Sequence, residues 1–254
     1  MARTNFPRRP RLDRSTTNAI ACQHAHEEQC ALASTVAQVE DDGFQHMFYH
    51  ERYDQRDVEC LSFALLAASE EGRPTMVDML ITRGANVNCV GGPFETPLQA
   101  AILGGNEAIV ERLLQCGAAA DTESSSFGTP LQLAAAYGDR RILSALIKHG
   151  ANVNQVAGPY HTALQIACVE GQVAMVRDLL EHGADANING GKHGNAVQAA
   201  ALVGSIPLPT SCHYTGNDAA ALLERCKTRL QHEDATAARY AQIVVLLLDA
   251  LQET

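Results

Sequence analysis

The sequence predicts an all-α solenoid of about five stacked helix-turn-helix repeats, with helical caps at the N- and C-terminal ends. Three observations carry this expectation. Glycine recurs every 33 residues in two columns, Gly72, Gly105, Gly138, Gly171, Gly204 and Gly84, Gly117, Gly150, Gly183. Apolar columns keep the same period: Leu65, Leu98, Leu131, Leu164, Val197, then Ala68, Ala101, Ala134, Ala167, Ala200, then Leu80, Leu113, Leu146, Leu179. A polar column, Gln99, Gln132, Gln165 and Gln198, runs in step with them. A unit of this size cannot enclose its own apolar face, so copies must stack to bury it.

From the N-terminus, residues 1–14 hold five arginines against one aspartate and read as a basic disordered tail. Residues 15–57 read as a helical N-terminal cap. Ser15, Thr16 or Thr17 would cap a helix over Ala19–Val39, Asp41-Asp42-Gly43 would break it, and Phe44, Met47, Phe48 and Tyr49 would form a second amphipathic piece. Residues 58–204 are the repeats. The copy at 60–88 is atypical, with Ser62-Phe63-Ala64-Leu65 in place of Thr-Pro-Leu and Pro74 opening its second helix.

The copy from Thr96 to Asp121 shows how one unit works. Thr96 caps a first helix that opens with Pro97, whose missing N–H would be unpaired there anyway. Leu98, Ala101 and Ile102 share one face. Gly105 ends the helix, where positive φ is needed. A second helix starts near Glu107, buries Ile109, Val110, Leu113 and Leu114, and ends at Gly117. Asp121–Gly128 is rich in turn residues and is expected to project as a loop or short hairpin. Each Gln of the polar column is placed to tie its helix to the adjoining loop backbone.

The last copy is interrupted. Its first helix covers 195–204, and its second appears late, as Ile243–Leu248. Residues 205–240 are therefore a helical insertion, with Leu222, Leu223, Cys226 and Leu230 at helical spacing. Residues 241–254 complete the repeat and cap the array. The insertion is a shield for the final repeat, a binding element, or both.

The runs Thr96-Pro97-Leu98-Gln99-Ala100-Ala101 and Thr129-Pro130-Leu131-Gln132-Leu133-Ala134-Ala135 resemble the ankyrin signature T-P-L-H-x-A-A. Gly84-Ala85-Asn86-Val87-Asn88 and Gly150-Ala151-Asn152-Val153-Asn154 resemble the ankyrin G-A-D-V-N. Gln in place of His is similar to the long ankyrin arrays of filamentous fungi. The resemblance covers roughly residues 60–204 plus the broken last copy. It implies an ankyrin-repeat solenoid and protein binding by a non-catalytic scaffold or adaptor. It also implies that the Asn-Val-Asn sites could serve as acceptors for asparaginyl hydroxylation.

Composition narrows the function further. Hydrophobic content of 46% and charge content of 19% suit a folded chain, and no apolar run reaches bilayer length. The net charge of −10 disfavours nucleic acid as a general partner. The eight cysteines contain no CxxC pair and no secretory leader precedes them, which points to free thiols in an intracellular compartment, cytoplasmic or nuclear. The basic N-terminus leaves a nuclear-targeting patch, a mitochondrial presequence or an electrostatic tether open. No phosphate loop, GxSxG or HExxH motif occurs, so no enzyme, cofactor or metal is expected.

The partner is expected to be another protein, met by a monomer through the loop tips and the concave first-helix face. Candidate contacts are Phe94, Phe127, Tyr160 and His193, a row of rings 33 residues apart, with Glu95, Glu123, His161 and Lys192 beside them. Leu103, Tyr137 and Val169 are the candidates on the helices. The same rings could instead pack between successive loops and set their spacing. Acidic residues in the earlier loops and basic ones in the later loops would steer a partner of opposite gradient. The competing reading is a metal-binding or catalytic protein using Cys22, His24, His26 and Cys30, with His46 and His50 folded back.

Overall fold

The computed structural model describes residues 55–91, 95–124, 128–158, 160–204, 206, 217–230 and 235–252. The expected basic tail and most of the expected N-terminal cap lie outside the described residues. Two compact units divide the described residues, one within Pro7–Ser124 and one within Ser125–Thr254. Among the described residues every regular element is a helix, and two isolated antiparallel bridges, Ala157 with His161 and Gly190 with Gly194, close loop tips.

In the unit Pro7–Ser124, α1 (Gln55–Glu71) and α2 (Pro74–Thr82) form one pair, and α3 (Pro97–Gly104) and α4 (Glu107–Gln115) the next. Helix α1 crosses the boundary placed at 57/58 from sequence. Helices α1 and α3 pack side by side, and each first helix packs on its own second helix. In the unit Ser125–Thr254, α5 (Pro130–Tyr137), α7 (Ala163–Val169) and α9 (Ala196–Val203) lie side by side. Their partners α6 (Arg140–Lys148) and α8 (Val173–Glu181) back the first two. Helix α11 (Ala235–Gln252) packs on α9 and α8, and α10 (Asn217–Leu230), within the inserted stretch, packs on α11.

The capping chemistry accounts for where these helices start. The hydroxyls of Thr96, Thr129 and Thr162 accept from the N–H of Gln99, Gln132 and Gln165, each at 3.2 Å, and Asn195 does the same for Gln198 at 2.9 Å. The core is the predicted one: Leu98, Ala101, Leu113, Leu131, Ala134, Leu146, Leu164, Ala167 and Leu179 are at most 1% exposed. Leu222 and Cys226 of α10 are fully buried, and burial pushes up the pKa of the Cys168 thiol.

One glycine differs from its column. Gly105, Gly138 and Gly171 adopt positive φ, but Gly204 sits at φ −73. It is small for a different reason: a Cβ there would lie 2.5 Å from Tyr240 Cβ. Tyr240 brings α11 against this spot, and its hydroxyl donates to the Val169 carbonyl at 2.9 Å. The late second helix thus reaches two repeats at once.

Candidate functional site

Within each unit, three kinds of side chain tie neighbouring repeats together and fix the loops. The first is the Gln column. Gln132 Oε1 accepts from the Thr129 N–H at 3.0 Å, while its Nε2 donates to the carbonyls of Ala157 (3.1 Å) and His161 (2.9 Å) in the following loop. Gln165 repeats this on Thr162 (3.2 Å), Ile188 (3.1 Å) and Gly194, and Gln99 donates to the Thr122 carbonyl at 3.3 Å. The amide supplies an acceptor for its own cap and donors for its neighbour, which a carboxylate could not do.

The second is Asn88 and Asn154. Each side chain donates to one backbone carbonyl of the next repeat, Gly117 and Gly183 at 3.0 Å, and accepts a backbone N–H, Ala119 and Asp185 at 2.8 Å. The third is the residue opening each second helix. Asn106 Nδ2 donates back to the Ser69 carbonyl (3.3 Å), and Gln172 Nε2 to that of Ala136 (3.2 Å). Gly72 and Gly138 leave the room: a Cβ at 72 would lie 2.6 Å from Asn106 Oδ1.

Ion pairs add to these ties between second helices. Arg112 Nε meets Asp78 at 2.5 Å, and Arg140 grips Asp178 through Nε and Nη2 at 2.5 and 2.7 Å. The Arg140 hydrogen bonds hold the Asp178 carboxyl below its usual range.

The predicted site residues fall into three groups. Phe94 and Phe127 lie outside the described residues, as do Cys22, His24, His26, Cys30, His46 and His50. The loop residues are presented at or near the surface: Lys192 and Glu123 are exposed, while Glu95, Tyr160, His161 and His193 are half-buried. The Tyr160 and His193 rings stack at 6.3 Å with 28° between their planes, so neighbouring members of the ring column touch. The His161 ring lies over Gly190, where any Cβ would collide with it. Burial first, and then the Lys192 charge, lower the His193 pKa.

The helix residues do not share that exposure. Tyr137 is half-buried, but Leu103 and Val169 are only 3% and 4% exposed. As the fold stands they offer a partner almost no area. Sequence spacing puts them on the right face but cannot say what lies over it.

Two features escaped the sequence reading. Glu95 and His161 adopt left-handed backbone, at φ 60 and 71, in the column where Gly128 and Gly194 also have positive φ. The mixed column hid the requirement. Glu70 is 6% exposed in a column otherwise held by Leu103, Ala136, Val169 and Leu202. Burial, and then the neighbouring charge of Glu71, raise its pKa to about 7. The break in the apolar column was the signal available.

Among the described residues no group of three or more His, Cys, Asp or Glu side chains could hold a metal ion. No described helix is long and apolar enough to cross a membrane. Residues 64–157 and 99–190 match the family model for ankyrin repeats (3 copies), together covering half of the chain. No curated protein matches it.

Proposed function

The chain belongs to the ankyrin-repeat family, and on that premise we propose that it is a non-catalytic scaffold or adaptor that binds another protein along its loop tips. Ankyrin repeats generally mediate protein–protein interaction, and proteins built from them are typically non-catalytic. The observation that carries the finer reading is the bracing of the loops. Gln132 holds both ends of the 157–161 turn, and Gln165 holds both sides of the 188–194 loop. A loop fixed before contact loses little conformational entropy on binding, so its exposed side chains contribute more of their interaction free energy to affinity.

The later tips present Tyr160, His161, Lys192 and His193, with no carboxylate in 157–161 or 188–194. This favours an acidic segment of the partner there. The 205–240 insertion acts as a shield for the last repeat, supported by the burial of Leu222 and Cys226. The protein works as an intracellular monomer outside its complex.

Affinity capture from native extract tests the site. Alanine at Tyr160, Lys192 and His193, and separately at Phe94 and Phe127, is expected to deplete a partner that wild type retains. Capture unchanged by both sets, with helix content intact, would reduce the ring column to loop packing and end the reading.

A further inference from the structure

Two histidine rings on the later loops take no part in the hydrogen bonding that braces those loops. Gln132 holds the 157–161 turn and Gln165 the 188–194 loop through backbone carbonyls. The His161 and His193 side chains make no hydrogen bond or ion pair among the described residues. In His193 the Nδ1 atom is enclosed without a partner, although the residue as a whole is only half-buried. An enclosed N–H without an acceptor is rarer and more costly than an enclosed lone pair. The neutral ring therefore carries its proton on Nε2, the nitrogen left open.

The surroundings of this donor come from both loops. The Tyr160 ring stacks on the His193 ring at 6.3 Å and holds its orientation. Lys192 is exposed beside it, and neither 157–161 nor 188–194 contains a carboxylate. Burial, and then the Lys192 charge, lower the His193 pKa, so at neutral pH the ring stays an uncharged donor. His161 adopts φ 71 at a position where Gly128 and Gly194 reach positive φ with no side chain to strain. Its ring is laid against Gly190. Val156, directly before the Ala157–His161 bridge, is 45% exposed.

We infer that the edge formed by Val156, His161, Lys192 and His193 seats a carboxylate side chain of an acidic protein segment. His193 Nε2–H donates to the carboxylate, and Lys192 supplies the opposite charge. The inference rests on the reading of the loop edge as the protein-binding surface, and it names the group of the partner that lands there. Charge decides the occupant. One exposed ammonium and one neutral donor match a single negative charge. A phosphate group, with nearly two charges, calls for a cluster of fixed cations, and a neutral His193 adds none. Val156 gives the same segment an aliphatic contact.

The ring column itself supplies the decisive variant, since Phe94, Phe127 and Tyr160 hold the position of His193 in earlier copies. H193F keeps a ring for the Tyr160 stack and removes both nitrogens. The isotopically labelled full chain is titrated with acetylated hexaglutamate amide at low ionic strength and followed by NMR. Saturable shifts are expected at the amides of 190–193 and at the His161 and His193 rings, and none with hexaglutamine. H193F is expected to weaken hexaglutamate by about fivefold, the worth of one hydrogen bond, with unchanged circular dichroism. K192M is expected to weaken it by about twofold to fivefold. If H193F lowers helix content, H193A is read the same way.

Hexaglutamate that leaves these signals in place, or shifts only signals elsewhere, would overturn the proposal. So would equal affinity for the parent and H193F. Inorganic phosphate that shifts the same signals at lower concentration than hexaglutamate would replace the carboxylate by a phosphate and overturn it too. Because hexaglutamate needs no captured partner, the carboxylate seat is judged apart from protein binding. Capture that depends on Tyr160 and Lys192, with no response to hexaglutamate, removes the seat and leaves the loop-edge reading standing. Failure of the loop-edge reading shows instead as capture indifferent to Tyr160 and Lys192.

Discussion

Replacing Gln132 by alanine removes the clearest tie between two repeats. Gln132 is 2% exposed and makes three side-chain hydrogen bonds: one from the Thr129 N–H, one to Ala157 and one to His161. A buried hydrogen bond contributes about 1 kcal/mol net, and the partners left behind lose access to water as well. The expected cost of Q132A is therefore about 3 kcal/mol. Gln198 supplies the control. Its Oε1 caps Asn195 at 2.9 Å, its N–H completes the capping box, and among the described residues it makes no bond to a later loop. Q198A should cost about 1 kcal/mol. The gain in helix propensity from alanine is the same in both and cancels. The difference of about 2 kcal/mol isolates the two bonds that cross to the next loop.

Urea unfolding of both full-length variants, followed by circular dichroism, measures this difference as a shift of midpoint at constant slope. Hydrogen exchange at Ala157 gives a local readout, since its N–H donates to the His161 carbonyl within the turn that Gln132 holds. Equal costs for Q132A and Q198A, with Ala157 protection unchanged, would refute the claim that this amide fixes the next loop.

Three further outcomes follow from particular residues. Burial raises the folded pKa of Glu70 to about 7 from the ordinary carboxylate value of 4.5, so the fold favours its protonated form. Its penalty is absent below about 4.5, grows as pH rises towards 7 and is complete above it. E70Q is then expected to leave stability at pH 4 unchanged and raise it at pH 8 by at most about 3 kcal/mol, and a flat difference across that range would count against the assignment. Gly117, at φ 86 with open space at its Cβ position, should lose about 1 kcal/mol as G117A from backbone strain alone. Gly204 has an ordinary φ, so the cost of G204A comes from displacing Tyr240. Adding Y240A should relieve part of that clash, and full additivity of the two changes would contradict it.

The fold was legible because a 33-residue period repeats one capping and packing solution. Thr96 and Pro97 announce a helix start, Gly105 its end, and Leu98 with Ala101 its buried side, and the structure uses each in that way. The role of the Gln column as a tie was also readable, since an amide at a fixed register needs both an acceptor and a donor partner. Other features depend on what lies across from a residue. Gly204 looks like its column mates until Tyr240 arrives from 36 positions later. Leu103 and Val169 looked like surface because periodicity reports one helix and not what covers it. The ring pair of Tyr160 and His193 left its spacing in the sequence but not its contact, which depends on how two loops stand side by side.

The account turns on whether the braced loop edge is where a partner sits. Hydrogen exchange of the full chain, alone and in its captured complex, reads this directly. The account predicts new protection at 157–161 and 188–194, with the outward sides of α6 and α8 unchanged. Protection confined to α6 and α8, with those loops exchanging as before, would contradict it.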